Sequence, residues 1–121
     1  MGKRILVVDD SAAVRQSVAY VLDQAGYEVV QAGDGKEALT KLDGSPFALI
    51  VTDVNMPNMD GIELTRQVRG TGDYKFTPIV VLTTESQSGK MNEGKEAGAT
   101  GWIVKPFDSE KLLQVVKRLA G

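Results

Sequence analysis

Asp9, Asp10, Asp53, Thr83 and Lys105 carry side chains suited to metal and phosphate chemistry, and they stand at corresponding places in the chain. Each follows a short apolar run. Arg4–Val8 ends in Asp9-Asp10, Ala48–Thr52 in Asp53, Ile79–Leu82 in Thr83, and Gly101–Val104 in Lys105 followed by Pro106. If these runs are parallel strands, the five groups share one sheet edge, with the Asp53 carboxylate exposed at its strand's end. Three acids, a hydroxyl and an amine converging there suit a divalent cation and phosphoryl transfer to a carboxylate.

Three carboxylates at close quarters repel: at about 4 Å and an effective dielectric of about 20, each like-charged pair costs roughly 4 kcal/mol. Positive charge must therefore sit among them. Lys105 supplies one unit. A hard divalent cation supplies the rest, and Mg2+ fits because it keeps waters and phosphate oxygens as ligands. Asp10 and Asp53 are assigned as direct ligands, and Asp9 as a direct or water-bridged one. Asn55, two residues past Asp53, either offers its main-chain carbonyl as a further ligand or is an ordinary turn residue. With Mg2+ and Lys105 neutralising the phosphoryl oxygens, Asp53 can attack phosphorus, and Thr83 can hydrogen-bond the group it receives. The Lys105-Pro106 bond is trans by default; cis costs an X-Pro bond little and would aim the ammonium across the edge.

The composition removes the competing chemistries. With no Cys there is no thiol nucleophile, disulfide or thiolate metal site, and with no His there is no Ser-His-Asp triad and no imidazole ligand. Fourteen basic against sixteen acidic residues give a net charge of −2, without the basic surplus of a nucleic-acid binder. No stretch approaches the roughly 18 apolar residues of a membrane span, so a cytoplasmic protein is expected. At 121 residues, 42% apolar and 25% charged, the chain fits one globular domain over residues 1–121.

Five strand-like runs alternating with helical spacing predict an α/β fold: a (βα)5 parallel sheet covered by helices on both faces. Ser11 predicts the start of the first helix, with Val14, Val18, Val21, Leu22 and Ala25 inward and Gly26 as its stop. Asp34 with Glu37, and Asp60 with Glu63, read as capping-box-like starts for the second and third. Asp108 caps the last, whose stripe is Leu112, Leu113, Val116, Leu119 and Ala120. The fourth, between Thr84 and Gly98, is weakest: it offers Met91 and Ala97, and Gly89 and Gly94 each cost about 1 kcal/mol relative to Ala. Gly70–Thr77 reads as a surface loop.

Asp9-Asp10, Asp53 with Met56-Pro57 and Asp60-Gly61 after it, Thr83, and Lys105-Pro106-Phe107 resemble the response-regulator receiver family across practically the whole chain. The resemblance implies the flavodoxin-like, doubly wound five-stranded sheet of order 2-1-3-4-5 and a phosphoacceptor that is not itself an enzyme. It puts Asp53 in the acceptor's place, Mg2+ on Asp9 and Asp10, Lys105 and Thr83 on the phosphoryl group, and Pro106 after a cis peptide. It makes a histidine kinase the phosphodonor, Asn55 and Glu85 the residues that tune phosphate lifetime, and Thr83 with Trp102 the switch pair. Trp102 departs from the usual Tyr or Phe, and Thr84 from a smaller residue.

Within the family the chain is most similar to the stand-alone, CheY-like chemotaxis regulators. That implies action on a downstream protein such as a flagellar motor switch component, and the polar surface of the helices favours a monomer. A phosphorelay intermediate and a receiver fragment of a larger regulator remain alternatives. An aspartyl-nucleophile phosphohydrolase of the haloacid-dehalogenase type is disfavoured, because its Asp-x-Asp nucleophile follows the first strand. A flavin module is disfavoured because Asp9-Asp10-Ser11 would repel the phosphate its loop must cradle.

Overall fold

Runs of Val, Ile and Leu five or six residues long become strands here because both sheet faces are covered, so nearly every position in the central strands is buried. The computed structural model describes residues 3–56, 59–84, 88–105 and 107–120. Its strands are β1 (Arg4–Val8), β2 (Glu28–Ala32), β3 (Leu49–Asp53), β4 (Ile79–Thr84) and β5 (Gly101–Lys105). All pair in parallel, as the alternating pattern predicts, in the order β2-β1-β3-β4-β5 that the family resemblance implies. Between and after them run α1 (Ala12–Gln24), α2 (Gly35–Lys41), α3 (Gly61–Arg69), α4 (Ser88–Ala97) and α5 (Ser109–Ala120).

Strand alternation divides the core in two. Ile5, Val7, Leu49, Val51, Val80, Leu82 and Ile103 face α1 and α5, where Val18, Leu22, Leu112 and Val116 meet them. Leu6, Val8, Ile50 and Val81 face the other way, towards Ala38 of α2, Ile62, Leu64 and Val68 of α3, and Ala97 of α4. Among the described residues no helix is long and apolar enough to cross a membrane.

The expected caps form. Ser11 accepts from the Val14 amide at 3.3 Å, Asp34 from Glu37 at 2.8 Å, Asp60 from Glu63 at 2.8 Å, and Asp108 from Lys111 at 2.7 Å. The reciprocal half of the capping box does not. Glu37 accepts from the amide of Gly33, one residue before the cap, and Glu63 turns to Arg66 and Gln67. In α1, Ala19 is buried while Ala25, expected inward, is an exposed C-cap ahead of Gly26 at φ 97°.

The expected surface loop from Gly70 to Thr77 contains a 3₁₀ turn, Gly72–Tyr74, whose Tyr74 ring is buried against Phe47. Tyr74 Oη donates to the Ser45 carbonyl and accepts from the Gly44 amide, each at 2.8 Å. Arg69 then ties this loop to the end of α4, donating to the carbonyls of Lys75, Thr77 and Gly98. Pro57, Glu85 and Pro106, and the side chains of Thr84 and Met91, lie outside the described residues.

Candidate functional site

Where β1 and β3 end, their pairing brings Asp9 and Asp53 to one edge: Val8 registers with Thr52, and each acid is the next residue. Asp9 and Asp10 follow β1, as expected. Asp53 is the last residue of β3, Thr83 the penultimate residue of β4 and Lys105 the last of β5, so these three belong to the strands rather than follow them. The expected exposure of Asp53 is corrected too. Asp53 is 7% exposed and Asp9 1%, and Asp10 alone of the three faces solvent. Strand structure continues one residue further than the apolar runs in β3 and β5 and two further in β4.

Carboxylate oxygens of Asp9, Asp10 and Asp53 all lie within 4.8 Å of one another. Lys105 Nζ stands 3.1 Å from Asp53 Oδ1 and 3.5 Å from Asp9 Oδ2. The other oxygen of Asp9 accepts from the Ser11 amide at 2.9 Å. Burial, then the neighbouring Asp9 charge, pushes the Asp53 carboxyl above the ordinary Asp value, while Lys105 pulls it back. One ammonium among three hard oxygen donors leaves negative charge that a divalent cation neutralises, so the residues present fit Mg2+.

Thr83 is buried, and with Val81 it belongs to the sheet face that carries Trp102, by the alternation along β4 and β5. Asn55 is exposed, outside regular structure, two residues beyond Asp53. The Gly94 backbone in α4 abuts the Trp102 ring: a methyl group there would sit 2.6 Å from indole Cζ3. Beside Lys105, an apolar groove of about 650 Å³ runs between Val14 and Val18 of α1 and Leu112 of α5.

Two residues that shape the edge escape a sequence search for chemical groups. Gly61 donates its amide to the Val54 carbonyl at 2.9 Å, and a methyl group on it would lie 2.2 Å from the Asp53 carbonyl oxygen. α3 can therefore start against the Asp53 backbone only because this residue is glycine. Arg15 of α1 donates to the Asp9 carbonyl at 2.8 Å. An arginine four residues past an N-cap has no sequence signature that separates it from any other helical arginine.

Comparison with known proteins agrees with this geometry. The chain is 44% identical over 119 residues to the response regulator MprA of Mycobacterium tuberculosis, covering 98% of this chain and 51% of that protein. It thus spans about half the length of that curated relative. Chemotaxis response regulator CheY4 of Vibrio cholerae superposes with a TM-score of 0.92 at 50% identity, over 98% of this chain and 99% of that one. The receiver domain of sensor histidine kinase PA1611 from Pseudomonas aeruginosa PAO1 superposes at 0.91 with 27% identity, over 100% and 99%, and holds a magnesium ion in its active-site cleft. The Asp9, Asp10 and Asp53 trio matches the receiver-domain Mg2+ site. With the family profile described as response regulator receiver domain matching residues 5–117, the chain belongs to the response-regulator receiver family, whose members are signalling phosphoacceptors.

Proposed function

We propose that Asp53 accepts a phosphoryl group from the phosphohistidine of a histidine kinase and that the modified chain then changes its binding partner. The observation that carries this reading is the 3.1 Å contact from Lys105 to Asp53 among two further carboxylates at the strand edge. An Asp53 oxygen attacks phosphorus as the P–N bond to the donor imidazole breaks, leaving an acyl phosphate and a free imidazole. Asp10, Asp53, the Asn55 main-chain carbonyl and Asp9, directly or through water, would hold Mg2+, which would supply charge neutralisation for the phosphoryl oxygens. Lys105 turns from the carboxylate to a phosphoryl oxygen, and the Thr83 hydroxyl hydrogen-bonds another. Asn55 and Glu85 set the lifetime of the product.

Thr83 and Trp102 share one sheet face, so movement of Thr83 towards the phosphoryl group opens space for the indole and carries the signal to α4. The chain works as a single receiver domain over residues 1–121, as a cytoplasmic monomer. The likeness to CheY4 over 99% of that chain favours chemotaxis, with a flagellar motor switch protein as target. The likeness to MprA, a protein about twice as long, favours a second reading as the receiver part of a larger regulator or phosphorelay.

Intact mass after incubation with acetyl phosphate and MgCl2 tests the acceptor. The wild type should gain one phosphoryl group, EDTA should prevent it, and Asp53→Asn should gain none. Equal modification of the variant removes Asp53 from the role. Pulldown with and without beryllofluoride separates the two pathways: enrichment of a motor switch protein selects chemotaxis, and enrichment of a histidine phosphotransferase selects a phosphorelay.

A further inference from the structure

We infer that Arg15 is a positioning residue for the metal site: it braces the peptide that joins Asp9 to Asp10 and so sets the angle between their carboxylates. This rests on the reading of those two acids as Mg2+ ligands. The Asp9 side chain is already fixed, by the Ser11 amide at 2.9 Å and Lys105 at 3.5 Å. Its amide bonds the Ala32 carbonyl at 3.2 Å. What remains to orient is the carbonyl half of the residue, whose rotation swings Asp10. Arg15 Nη1 holds that carbonyl oxygen at 2.8 Å, and Arg15 Nε reaches Gln31 Oε1 on β2 at 3.2 Å.

One planar guanidinium thereby links the end of β1 to β2 from the first turns of α1, a geometry that the single ammonium of a lysine cannot reproduce in full. Mg2+ demands near-ideal octahedral ligands at about 2.0–2.1 Å, so angular play between Asp9 and Asp10 translates directly into lost affinity. Groups that orient metal ligands typically contribute 10–100-fold to affinity. The charge of Arg15 acts in the opposite direction, because a cation beside the trio repels Mg2+. Bracing and charge therefore predict changes of opposite sign when Arg15 is replaced, and that makes the two roles separable.

The experiment is calorimetric titration of the wild type, Arg15→Met, Arg15→Lys and Asp10→Asn with MgCl2 alone, alongside melting in EDTA. Bracing predicts that Arg15→Met weakens Mg2+ binding about tenfold and that Arg15→Lys recovers part of the loss. Unchanged or tighter binding in Arg15→Met overturns the inference, whatever happens to its melting temperature in EDTA. If that variant melts below the titration temperature, Gln31→Leu decides, since it removes one anchor of the brace and leaves the charge. Weaker binding there supports the brace, and unchanged binding ends it. Asp10→Asn keeps the underlying reading distinct: wild-type affinity in that variant places the metal elsewhere and removes both claims together.

Discussion

At the acidic edge Asp9, Asp53 and Lys105 hold one another directly, whereas at Gly94 α4 meets the half-buried aromatic ring of Trp102 on β5. Asp9 is fixed by a backbone amide and a lysine, Asp53 by that lysine and by the closure of Gly61 on its backbone, and the Asp9–Asp10 peptide by Arg15. α4 has no pronounced apolar stripe, unlike α5 with Leu112, Val116 and Ala120. The contrast matches the two tasks of a receiver. Chemistry on phosphorus needs carboxylates held in place for the metal and the attack, and a signal needs an element with two arrangements close in free energy.

The same substitution, Gly to Ala, breaks the comparison most sharply when made in both regions. At Gly61 the new methyl group meets the Asp53 carbonyl oxygen at 2.2 Å, the Asp53 carbonyl carbon at 3.0 Å and the Val54 Cα at 3.2 Å, all of them backbone. Neither α3 nor β3 can yield without losing its packing. Gly61→Ala should cost about 3 kcal/mol in urea unfolding, and the Mg2+-induced rise in melting temperature should shrink as the Asp53 backbone is displaced. A cost under about 0.5 kcal/mol would mean that the edge is far less rigid than its contacts imply.

A smaller effect comes from pH. Without metal, the Asp53 carboxyl is raised above its ordinary value by burial and by Asp9, against the pull of Lys105. A raised folded-state pKa means that the native state binds the proton more tightly than the unfolded chain does. The stability contributed is thus complete below the ordinary Asp value of about 3.9 and is lost as pH rises through the folded value. Ionised Asp53 is then a liability at neutral pH that Mg2+ relieves. In EDTA, Asp53→Asn should melt above the wild type by a few degrees at pH 7, the gap should vanish towards pH 3, and saturating MgCl2 should close it at pH 7. A gap independent of pH would show that another group carries the titration.

The parallel strand–helix alternation and the strand-end places of Asp9, Asp10, Asp53, Thr83 and Lys105 were legible because both depend on local rules, namely apolar runs, turn residues, and caps at Ser11, Asp34, Asp60 and Asp108, whereas the strand order came from the family resemblance. What stayed hidden depends on partners distant in sequence. Tyr74 is buried by contacts with Gly44 and Ser45, thirty and twenty-nine residues away, so its loop gave no sign of a core residue. Arg69 reaches twenty-nine residues on to Gly98. Ala19 is buried and Ala25 exposed, contrary to the expected stripe, because small residues carry little amphipathic signal. Gly94 was read as a helix penalty, and its reason for being glycine is a ring on another element.

That ring gives the smallest effect and the finest test. At Gly94 the obstructing atoms are Cζ3, Cε3 and Cη2 of Trp102, at 2.6, 3.4 and 3.5 Å, and a half-buried side chain can turn away where backbone cannot. Alanine gains about 1 kcal/mol of helix propensity over glycine, while moving the indole off its preferred rotamer costs about as much. Stability in Gly94→Ala should stay within about 1 kcal/mol of the wild type. The position of the ring should not. Trp102 is the sole tryptophan, so intrinsic fluorescence reports this contact alone. Gly94→Ala should shift its emission to longer wavelength as the indole moves towards water, and should diminish the further change that beryllofluoride with Mg2+ produces. Thr83→Ala leaves the notch intact and should keep wild-type emission at rest while weakening the response to the mimic. If Gly94→Ala keeps both the resting emission and the full response, the ring is a passive cover, and the signal leaves the acidic edge by another element.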